Sequence, residues 1–197
     1  MNPTAPEPSD VELIERVRAR DLDALGMLFD RYYSHVFRSA VVITQDAAAA
    51  EDIAQECFLK INRYADRIDT SLPLLPWLYR VTVNLSYTWI TRQRKRRISL
   101  DAVIDNLISP AWLAPEHIAE YSEIQQVVRD AIQQLHFNQR VVIALHYLSG
   151  LSLEEIADIL DCPVGTVKSR LHYARENLRR HLERINWTGE VVHGYAR

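Results

Sequence analysis

The fold is decided by residues 150–180, which run GLSLEEIADILDCPVGTVKSRLHYARENLRR. The pattern predicts two short amphipathic helices joined by a tight turn. Ser152 can cap the first helix while Glu155 reaches back to the capping residue, a reciprocal arrangement that marks a helix start. The inward face of this helix consists of Ile156, Ala157 and Leu160. Because Ala157 is small, a second helix can cross close to the first at that point.

The second predicted helix has an apolar side and an opposite side that is polar and basic. It follows a turn at Asp161 and Cys162, and Pro163 suits its first position, where a missing N–H costs nothing. The apolar side consists of Val164, Val167, Leu171, Ala174 and Leu178. The opposite side consists of Thr166, Ser169, Arg170 and Tyr173, flanked by Lys168, His172 and Arg175. Such a helix fits the DNA major groove, with polar side chains for base edges and cations for phosphates. The sequence therefore predicts a DNA-binding helix-turn-helix.

An ordinary helical hairpin with a solvated charged face is the alternative interpretation of residues 150–180. That alternative explains the amphipathic pattern. It does not explain why a capping box, a small crossing residue, a short turn and a one-sided basic helix occur together. Agreement between these separate signals favours the helix-turn-helix.

The composition predicts an all-α protein large enough for two small domains. The chain has 197 residues, 48% of them hydrophobic, which is enough to bury cores. It has five glycines and no regular alternation of apolar and polar residues, so strands are not expected. The formal net charge is -3, but the charged residues of 92–97 and 168–184 are mainly basic, whereas residues 101–130 hold six acidic residues and one basic residue. Two basic patches are therefore compatible with a nucleic-acid partner.

The cysteines and histidines give no sign of a metal, cofactor or catalytic site. Cys57 and Cys162 have no partner at metal-ligand spacing, so we expect two buried or partly buried thiols in a reducing cytoplasm.

No signal-peptide pattern and no run of about eighteen apolar residues occurs, so we expect a cytoplasmic protein without direct membrane insertion. We expect no enzyme, because the sequence lacks a metalloprotease helix, a phosphate-binding glycine loop and a nucleophile turn.

The helical periodicity predicts two small helical domains joined by a flexible linker. The predicted ranges are 11–98 for the first domain, 99–120 for the linker and 121–185 for the second domain. In the first domain, one long helix starts from Asp21 and another near Asp46. Prolines interrupt the helical pattern at residues 69–76, which predicts a loop. A further helix with a basic end is predicted for residues 77–97.

Three motifs occur in a fixed order along the chain. They are AEDIAQECFLK at residues 50–60, WLYRVTVNL at residues 77–85, and GLSLEEIA with GTVKSRL at residues 150–157 and 165–171. In sequence and in order they resemble the extracytoplasmic-function sigma factors, a group within the sigma-70 family. These small bacterial subunits have two domains and direct RNA polymerase to promoters. The resemblance covers roughly residues 11–185.

The resemblance implies that the first motif docks on the coiled-coil clamp of the largest polymerase subunit. The implicated residues are Asp52, Gln55, Glu56, Leu59 and Asn62. Carboxylates beside an apolar side chain suit such a contact. The alternative is that Asp52 and Glu56, one helical turn apart, only solvate a helix face.

The resemblance also implies a promoter-melting element that captures a flipped base of the minus-ten region. The residues implicated in base capture are Thr70, Ser71, Leu72, Leu74 and Asn84. A flipped base needs apolar walls and hydrogen bonds in place of stacking and pairing. The residues expected to hold phosphates are Arg80, Arg92, Arg94, Lys95, Arg96 and Arg97. Trp77 and Tyr79 could stack on bases, although their helical spacing beside Leu78 and Val81 favours core positions.

The same resemblance assigns the helix-turn-helix to the minus-thirty-five element and the acidic linker to polymerase channels that later hold RNA. The implied partners are core RNA polymerase, promoter DNA and an anti-sigma factor. Two features depart from the common family pattern. Pro73 and Pro76 make the loop stiffer and more apolar, and the pair His172–Tyr173 replaces the more frequent His–Arg pair.

A stand-alone transcriptional regulator is the alternative function. Such a protein would bind an operator through the helix-turn-helix and sense a ligand with its N-terminal half. It accounts for residues 150–180 equally well. It does not account for the acidic docking helix, the leucine-rich loop or the basic helix end.

Overall fold

All regular structure in the described part of the chain is helical. The computed structural model describes residues 7–100 and 119–184. The α-helices are α1 (Asp10–Arg18), α2 (Leu22–Thr44), α3 (Ala47–Tyr64), α4 (Leu74–Leu100), α5 (Ala119–Gln133), α6 (Phe137–Ile143), α7 (Leu153–Leu160) and α8 (Val164–Arg184). A 3-10 turn covers Ala65–Arg67 and a π-turn covers Ala144–Leu148. The predicted all-α class is confirmed, whereas residues 101–118 of the predicted linker lie outside the described residues.

Aspartates start the two long helices that the sequence predicts. The Asp21 carboxylate accepts hydrogen bonds from the N–H groups of Asp23 (2.9 Å) and Ala24 (3.2 Å), and Asp46 accepts one from Ala49 (2.9 Å). These bonds satisfy donors that have no partner within the first helical turn. Helix α2 ends at Gln45, whose φ of 60° stops the helix in the left-handed region.

Helix α1 was not predicted, although its start carries a recognisable signal. Ser9 and Glu12 form a capping box, in which the Glu12 carboxylate accepts from the Ser9 N–H at 2.7 Å. The same hydrogen bonds lower the pKa of Glu12. Arg18, at the other end of α1, donates to the carbonyls of Ala65 (3.0 Å) and Ile68 (2.7 Å). The helix is thereby tied to the segment that leads into the loop before α4.

The N-terminal core lies between α1, α2, α3 and the first half of α4. Its fully buried members include Leu13, Leu28, Val36, Ala54, Cys57, Ile61 and Leu78. Phe29 packs between the rings of Tyr33 and Phe58, at centroid distances of 4.9 and 4.8 Å. This core fixes α3 and α4 side by side and leaves one face of each helix exposed.

Helix α4 begins earlier than the sequence predicts. The loop was expected to run through Pro76, but Leu74 and Pro76 lie in the first turn of α4. A proline is tolerated there because the first N–H groups of a helix have no partner within the helix. Leu74 is buried in the N-terminal core, so the prediction that it forms part of the loop is wrong.

The C-terminal half contains the predicted helix-turn-helix. Ser152 caps α7, with its hydroxyl accepting from the Glu155 N–H at 3.2 Å and the Glu155 carboxylate accepting from the Ser152 N–H at 2.8 Å. Asp161 reverses the chain with a φ of 48°. Helix α8 then packs Val167, Leu171 and Ala174 into the core, as predicted. Pro163 stands one position before α8 instead of at its first residue.

The two halves of the chain are in contact. Ile43 of α2 and Tyr79 and Val83 of α4 are buried in the same cluster as the C-terminal core residues. Tyr87 of α4 meets Phe137 of α6 edge to face, at a centroid distance of 5.4 Å. The core position expected for Tyr79 is confirmed, and its burial raises the pKa of its phenol.

Candidate nucleic-acid and polymerase interfaces

The side of α8 that the sequence predicts to face the DNA groove is open to solvent. The exposed members of the predicted set are Lys168, Ser169, His172, Tyr173 and Arg175, while Thr166 and Arg170 are half-buried. The Ser169 hydroxyl donates to the Thr166 carbonyl at 2.9 Å. Arg170 turns back toward the Cys162 sulfur, with an N···S distance of 3.9 Å. Five of the seven predicted residues therefore lie on one accessible face.

The cations of α8 differ in how their charges are compensated. Arg179 lies 2.9 Å from Glu176 and 3.0 Å from Glu183, and its hydrogen bond lowers the pKa of Glu176. By contrast, Lys168 and Arg175 make no ion pair with any residue that the structure describes. Their charge remains available for an anionic partner.

The loop to which the family resemblance assigns promoter melting covers residues 69–73 and is held by a short hydrogen-bonded turn. The Asp69 carboxylate accepts from the Ser71 N–H at 2.9 Å and from its hydroxyl at 2.6 Å. These bonds lower the pKa of Asp69. Ser71 and Leu72 are exposed, and Thr70 is half-buried. The loop therefore presents a short polar side chain beside an exposed leucine, as expected for Ser71 and Leu72.

A cavity of about 440 Å³ lies between α3 and α4, beside this loop. Its lining residues are Lys60, Tyr64, Arg67, Ile68, Trp77, Val81, Asn84, Leu85 and Thr88. The Lys60 ammonium stands 5.6 Å from the centre of the Tyr64 ring, and the Arg67 guanidinium stands 5.9 Å from it. The cavity combines apolar walls, a carboxamide, two hydroxyls and two cations. Hereafter it is called the α3–α4 cavity.

The sequence predicts Asn84 at this site and offers Trp77 as a base-stacking candidate, which is half-buried and lines the cavity, but it does not single out the other lining residues. Trp77, Asn84 and Thr88 lie at helical steps along one side of α4, and Lys60 and Tyr64 are one turn apart on α3. That spacing is visible in the sequence. The sequence does not show that these sides of α3 and α4 face each other, because that arrangement depends on packing in the core. Of the predicted base-capturing residues, Asn84 lines the cavity and Leu74 lies in the core.

The predicted phosphate-binding residues form three groups, which differ in the surroundings of their side chains. Arg80 donates from Nε to the Ile159 carbonyl at 3.2 Å and from Nη2 to the Asp158 carbonyl, so it contacts α7. Arg92 is exposed near the end of α4. The remaining four, Arg94, Lys95, Arg96 and Arg97, lie on the helical backbone of α4, and their side chains are outside the described part of the structure.

The predicted polymerase-docking residues lie along one side of α3. Asp52, Gln55 and Leu59 are exposed, and Glu56 and Asn62 are half-buried. Leu59 exposes 55% of its surface although it is a leucine in the middle of a helix. Ile53, Cys57 and Ile61 point into the core on the other side. Glu56 also approaches Lys60, with an N···O distance of 3.8 Å.

Neither a metal site nor a membrane span is found in the described ranges. Within residues 7–100 and 119–184 no three His, Cys, Asp or Glu side chains are grouped as metal ligands would be. No described helix combines the length and the apolar character needed to cross a bilayer.

The described residues form two packed helical halves, and the second carries a helix-turn-helix with an exposed polar and basic side, which is the architecture of a DNA-binding protein. Residues 28–96 match the family model of sigma-70 region 2, and residues 125–178 match that of sigma-70 region 4. The chain is 37% identical over 175 residues to the ECF RNA polymerase sigma-E factor of Escherichia coli K12, covering 85% of this chain and 91% of that protein. It is 33% identical over 184 residues to the sigma-E factor of Haemophilus influenzae, covering 89% and 96%.

Two solved structures share the fold. One is the sigma factor RpoE of Bartonella quintana in complex with the anti-sigma factor NepR, with a TM-score of 0.66 and 23% identity over 80% of this chain and 96% of that one. The other is CnrH in complex with the cytosolic domain of CnrY, with a TM-score of 0.63 and 21% identity over 89% and 97%. The chain belongs to the extracytoplasmic-function sigma factors of the sigma-70 family. It directs RNA polymerase to promoters and initiates transcription.

Proposed function

We propose that the work of this sigma factor is divided between three surfaces. The exposed side of α3 binds core RNA polymerase, the α3–α4 cavity with the promoter-melting loop opens the minus-ten region, and α8 recognises the minus-thirty-five element. The observation that carries the proposal is the position of Asn84 in a cavity that lies beside the loop. The protein acts in the cytoplasm and has no catalytic step of its own.

The α3–α4 cavity suits a nucleobase that has left the duplex. Trp77, Val81 and Leu85 supply apolar and aromatic walls, which replace the stacking energy of the base, about 1–3 kcal/mol. Asn84 and Thr88 supply donors and acceptors for the edge of the base. Lys60 and Arg67 lie at the same site and attract the adjoining phosphates.

The docking role of α3 is supported by the exposure of Leu59 between polar neighbours. Asp52 and Gln55 flank this leucine on the same side of the helix, so the face offers an apolar contact with polar surroundings. Interfaces commonly have an apolar centre and a polar rim. The carboxylates favour a partner surface that is basic, as electrostatic complementarity requires.

The minus-thirty-five role of α8 is supported by the separation of its two sides. Ser169 and Tyr173 lie opposite the buried residues and can approach base edges. Lys168 and Arg175 flank them with uncompensated charge, which suits phosphates. Phosphate contacts fix the register of the helix on the duplex, and base contacts select the sequence.

An anti-sigma factor is proposed as the regulator. In the solved relatives, RpoE is bound to the anti-sigma factor NepR and CnrH to the cytosolic domain of CnrY. An anti-sigma factor that bound this chain would compete with core polymerase for the α3 side. Release of the regulator would then expose the polymerase-binding surface.

Transcription with purified components tests the proposal. The protein is added to bacterial core RNA polymerase, and the mixture transcribes sheared genomic DNA so that start sites can be mapped. We expect comigration with core on gel filtration, a shared upstream motif among the start sites, and permanganate-reactive thymines near each start. Tight and selective promoter binding without polymerase, together with failure to comigrate, would instead identify a stand-alone regulator.

A further inference from the structure

Tyr147, in the π-turn before the helix-turn-helix, lies against the DNA-facing side of α8. Its phenol oxygen accepts a hydrogen bond from the Arg175 Nε at 2.7 Å, across 28 residues of sequence. The guanidinium carbon lies 5.7 Å from the centre of the Tyr147 ring, near the outer limit of about 6 Å for a cation–π contact. The hydrogen bond is therefore the main link between the two side chains.

We infer that Tyr147 is a positioning residue that holds Arg175 ready for a DNA phosphate. The inference rests on the proposed role of α8 in reading the minus-thirty-five element. It adds a residue outside the recognition helix to the binding surface.

The geometry of the guanidinium supports this role. Arginine has five N–H donors in a planar fork, and the bond to Tyr147 uses only the one on Nε. Both terminal NH₂ groups stay available for a bidentate contact with phosphate oxygens. Because one edge of the guanidinium is already fixed, less side-chain freedom remains to be lost when DNA binds.

Arg175 and Arg179 differ in the charge of their hydrogen-bond partners. The partner of Arg175 is the uncharged phenol of Tyr147. Arg179 is held by the carboxylates of Glu176 and Glu183, which compensate its positive charge. Tyr147 orients Arg175 without adding a negative charge. Arg175 therefore keeps its full charge for an anion, whereas Arg179 is already paired.

The contacts around Tyr147 restrict the position of its hydroxyl. The preceding residues Ala144 and Leu145 are fully buried, and His146 Nδ1 lies 2.9 Å from the Leu151 carbonyl oxygen. The His146 and Tyr147 rings meet edge to face at 4.9 Å. Tyr147 nevertheless exposes 56% of its surface, so the hydroxyl is held at the protein–solvent boundary where DNA would lie. Single π-turns inside helical segments are frequent at functional sites.

A double-mutant cycle tests the inference in the holoenzyme. The four proteins are the wild type, Tyr147→Phe, Arg175→Ala and the double variant, each assembled with core polymerase and titrated onto one promoter fragment recovered by the transcription experiment. Arg175→Ala should reduce the slope of log affinity against log salt by about 1, because one phosphate contact is lost. Tyr147→Phe should weaken binding by roughly threefold to tenfold, equally for all upstream sequences. In the Arg175→Ala background it should have no further effect.

The outcomes separate this inference from the proposed function. If Arg175→Ala weakens binding but Tyr147→Phe does not, the positioning role is overturned and the role of α8 stands. If Tyr147→Phe still weakens binding in the Arg175→Ala background, Tyr147 acts on DNA or folding by itself, which also overturns the inference. If neither variant changes binding, the phosphate role of Arg175 fails too. Arg179→Ala controls for the loss of one cation and should leave the salt slope unchanged.

A measurement on the free protein tests the contact without DNA. The ¹H–¹⁵N signal of the Arg175 Nε–H should exchange slowly with water in the wild type and rapidly in Tyr147→Phe. The melting temperature should be the same for both proteins, because the phenol is largely exposed. Equal exchange rates would show that the hydrogen bond does not hold Arg175 in solution.

Discussion

Arg80 of α4 donates a hydrogen bond to the carbonyl of Ile159 in α7, across 79 residues of sequence, at 3.2 Å. A second bond goes from Nη2 of Arg80 to the Asp158 carbonyl. The last carbonyls of a helix have no partner within the helix and carry a partial negative charge, so a guanidinium is favourable there. The residue that the family resemblance assigns to a promoter phosphate thus holds the two halves of the protein together.

If α8 and the promoter-melting loop bind the two promoter elements as proposed, the contact between the halves is incompatible with simultaneous binding of both elements. The minus-ten and minus-thirty-five elements are about 25 base pairs apart, or about 85 Å at about 3.4 Å per base pair. A helix of the length of α4, with 27 residues, spans about 40 Å. Helices in direct contact cannot reach both elements. With the proposed assignment of the two surfaces, the contact opens when the factor occupies a promoter.

Arg80→Ala should loosen the contact in the free protein. The substitution removes both hydrogen bonds and leaves two carbonyls of α7 without these partners, so the halves should separate more often. We expect a larger radius of gyration in small-angle X-ray scattering. Arg92→Ala removes an exposed arginine from the same helix and should leave the scattering unchanged. Identical scattering for Arg80→Ala and the wild type would show that the contact does not depend on Arg80.

Leu59→Ala should weaken polymerase binding and spare the fold. Because 55% of Leu59 is exposed, its loss should change the free energy of unfolding by no more than about 0.5 kcal/mol. An apolar residue at the centre of an interface is worth more than about 1 kcal/mol, so affinity for core should fall by roughly tenfold. Leu22→Ala is the matched control, since Leu22 is also exposed but lies on α2. Equal affinities for the two variants, measured by fluorescence anisotropy, would remove Leu59 from the docking surface.

The sequence predicts those features of the structure that depend on residues close together in the chain. The capping box at Ser152, the small Ala157 and the buried side of α8 all depend on residues within one or two helical turns. Helix α1 was missed although Ser9 and Glu12 repeat the same capping signal ahead of its apolar residues. Pro3, Pro6 and Pro8 precede this signal in the sequence, and prolines are unfavourable inside a helix. The loop predicted before α4 extends too far, because Pro76 is unfavourable in a helix interior but tolerated in the first turn.

Contacts between distant segments could not be predicted from periodicity. A helical pattern identifies which side of α4 is polar, but it does not say that Arg80 meets α7 or that Asn84 shares a cavity with Tyr64. The bond between Tyr147 and Arg175 likewise depends on how the π-turn packs beside α8. These placements are set by the packing of whole helices, whose mutual orientation is fixed by cores on both sides.

Tyr173→Ala should change the base preference of the upstream element without changing stability. Tyr173 is 58% exposed and lies opposite the buried side of α8. If its phenol contacts a base edge, the loss should be about 1–3 kcal/mol and confined to particular base pairs. Lys168→Ala should weaken all sequences alike, because a phosphate contact carries no sequence information. Binding of both holoenzymes to a panel of single-base variants separates the two patterns. A uniform loss for Tyr173→Ala would place it among the phosphate contacts.

The two thiols should differ in reactivity. Cys57 is fully buried, and its burial raises the pKa of its thiol to about 12. Its thiolate is therefore scarce in the folded protein until the pH approaches that value, whereas unfolding restores an ordinary pKa of about 8.5. Iodoacetamide at about pH 8 should label the half-buried Cys162 and leave Cys57 unmodified, as judged by peptide mass spectrometry. In denaturant both should react. Labelling of Cys57 in the folded protein would mean that α3 opens locally from the core.

Asn84→Ala should slow promoter opening while leaving upstream recognition intact. Asn84 is exposed at the α3–α4 cavity, so its removal should not disturb the core. Its proposed partner is an extruded base, which exists only after the duplex begins to separate. The lost hydrogen bonds should slow opening by roughly threefold to tenfold. Permanganate footprinting over time measures the opening, and protection of the upstream element in the same samples measures recognition.

The matched control is Asn138→Ala, which replaces an exposed asparagine on α6 and should open promoters at the wild-type rate. Normal opening by Asn84→Ala would exclude Asn84 from base capture, and reduced upstream protection would instead indicate a general defect in folding or assembly.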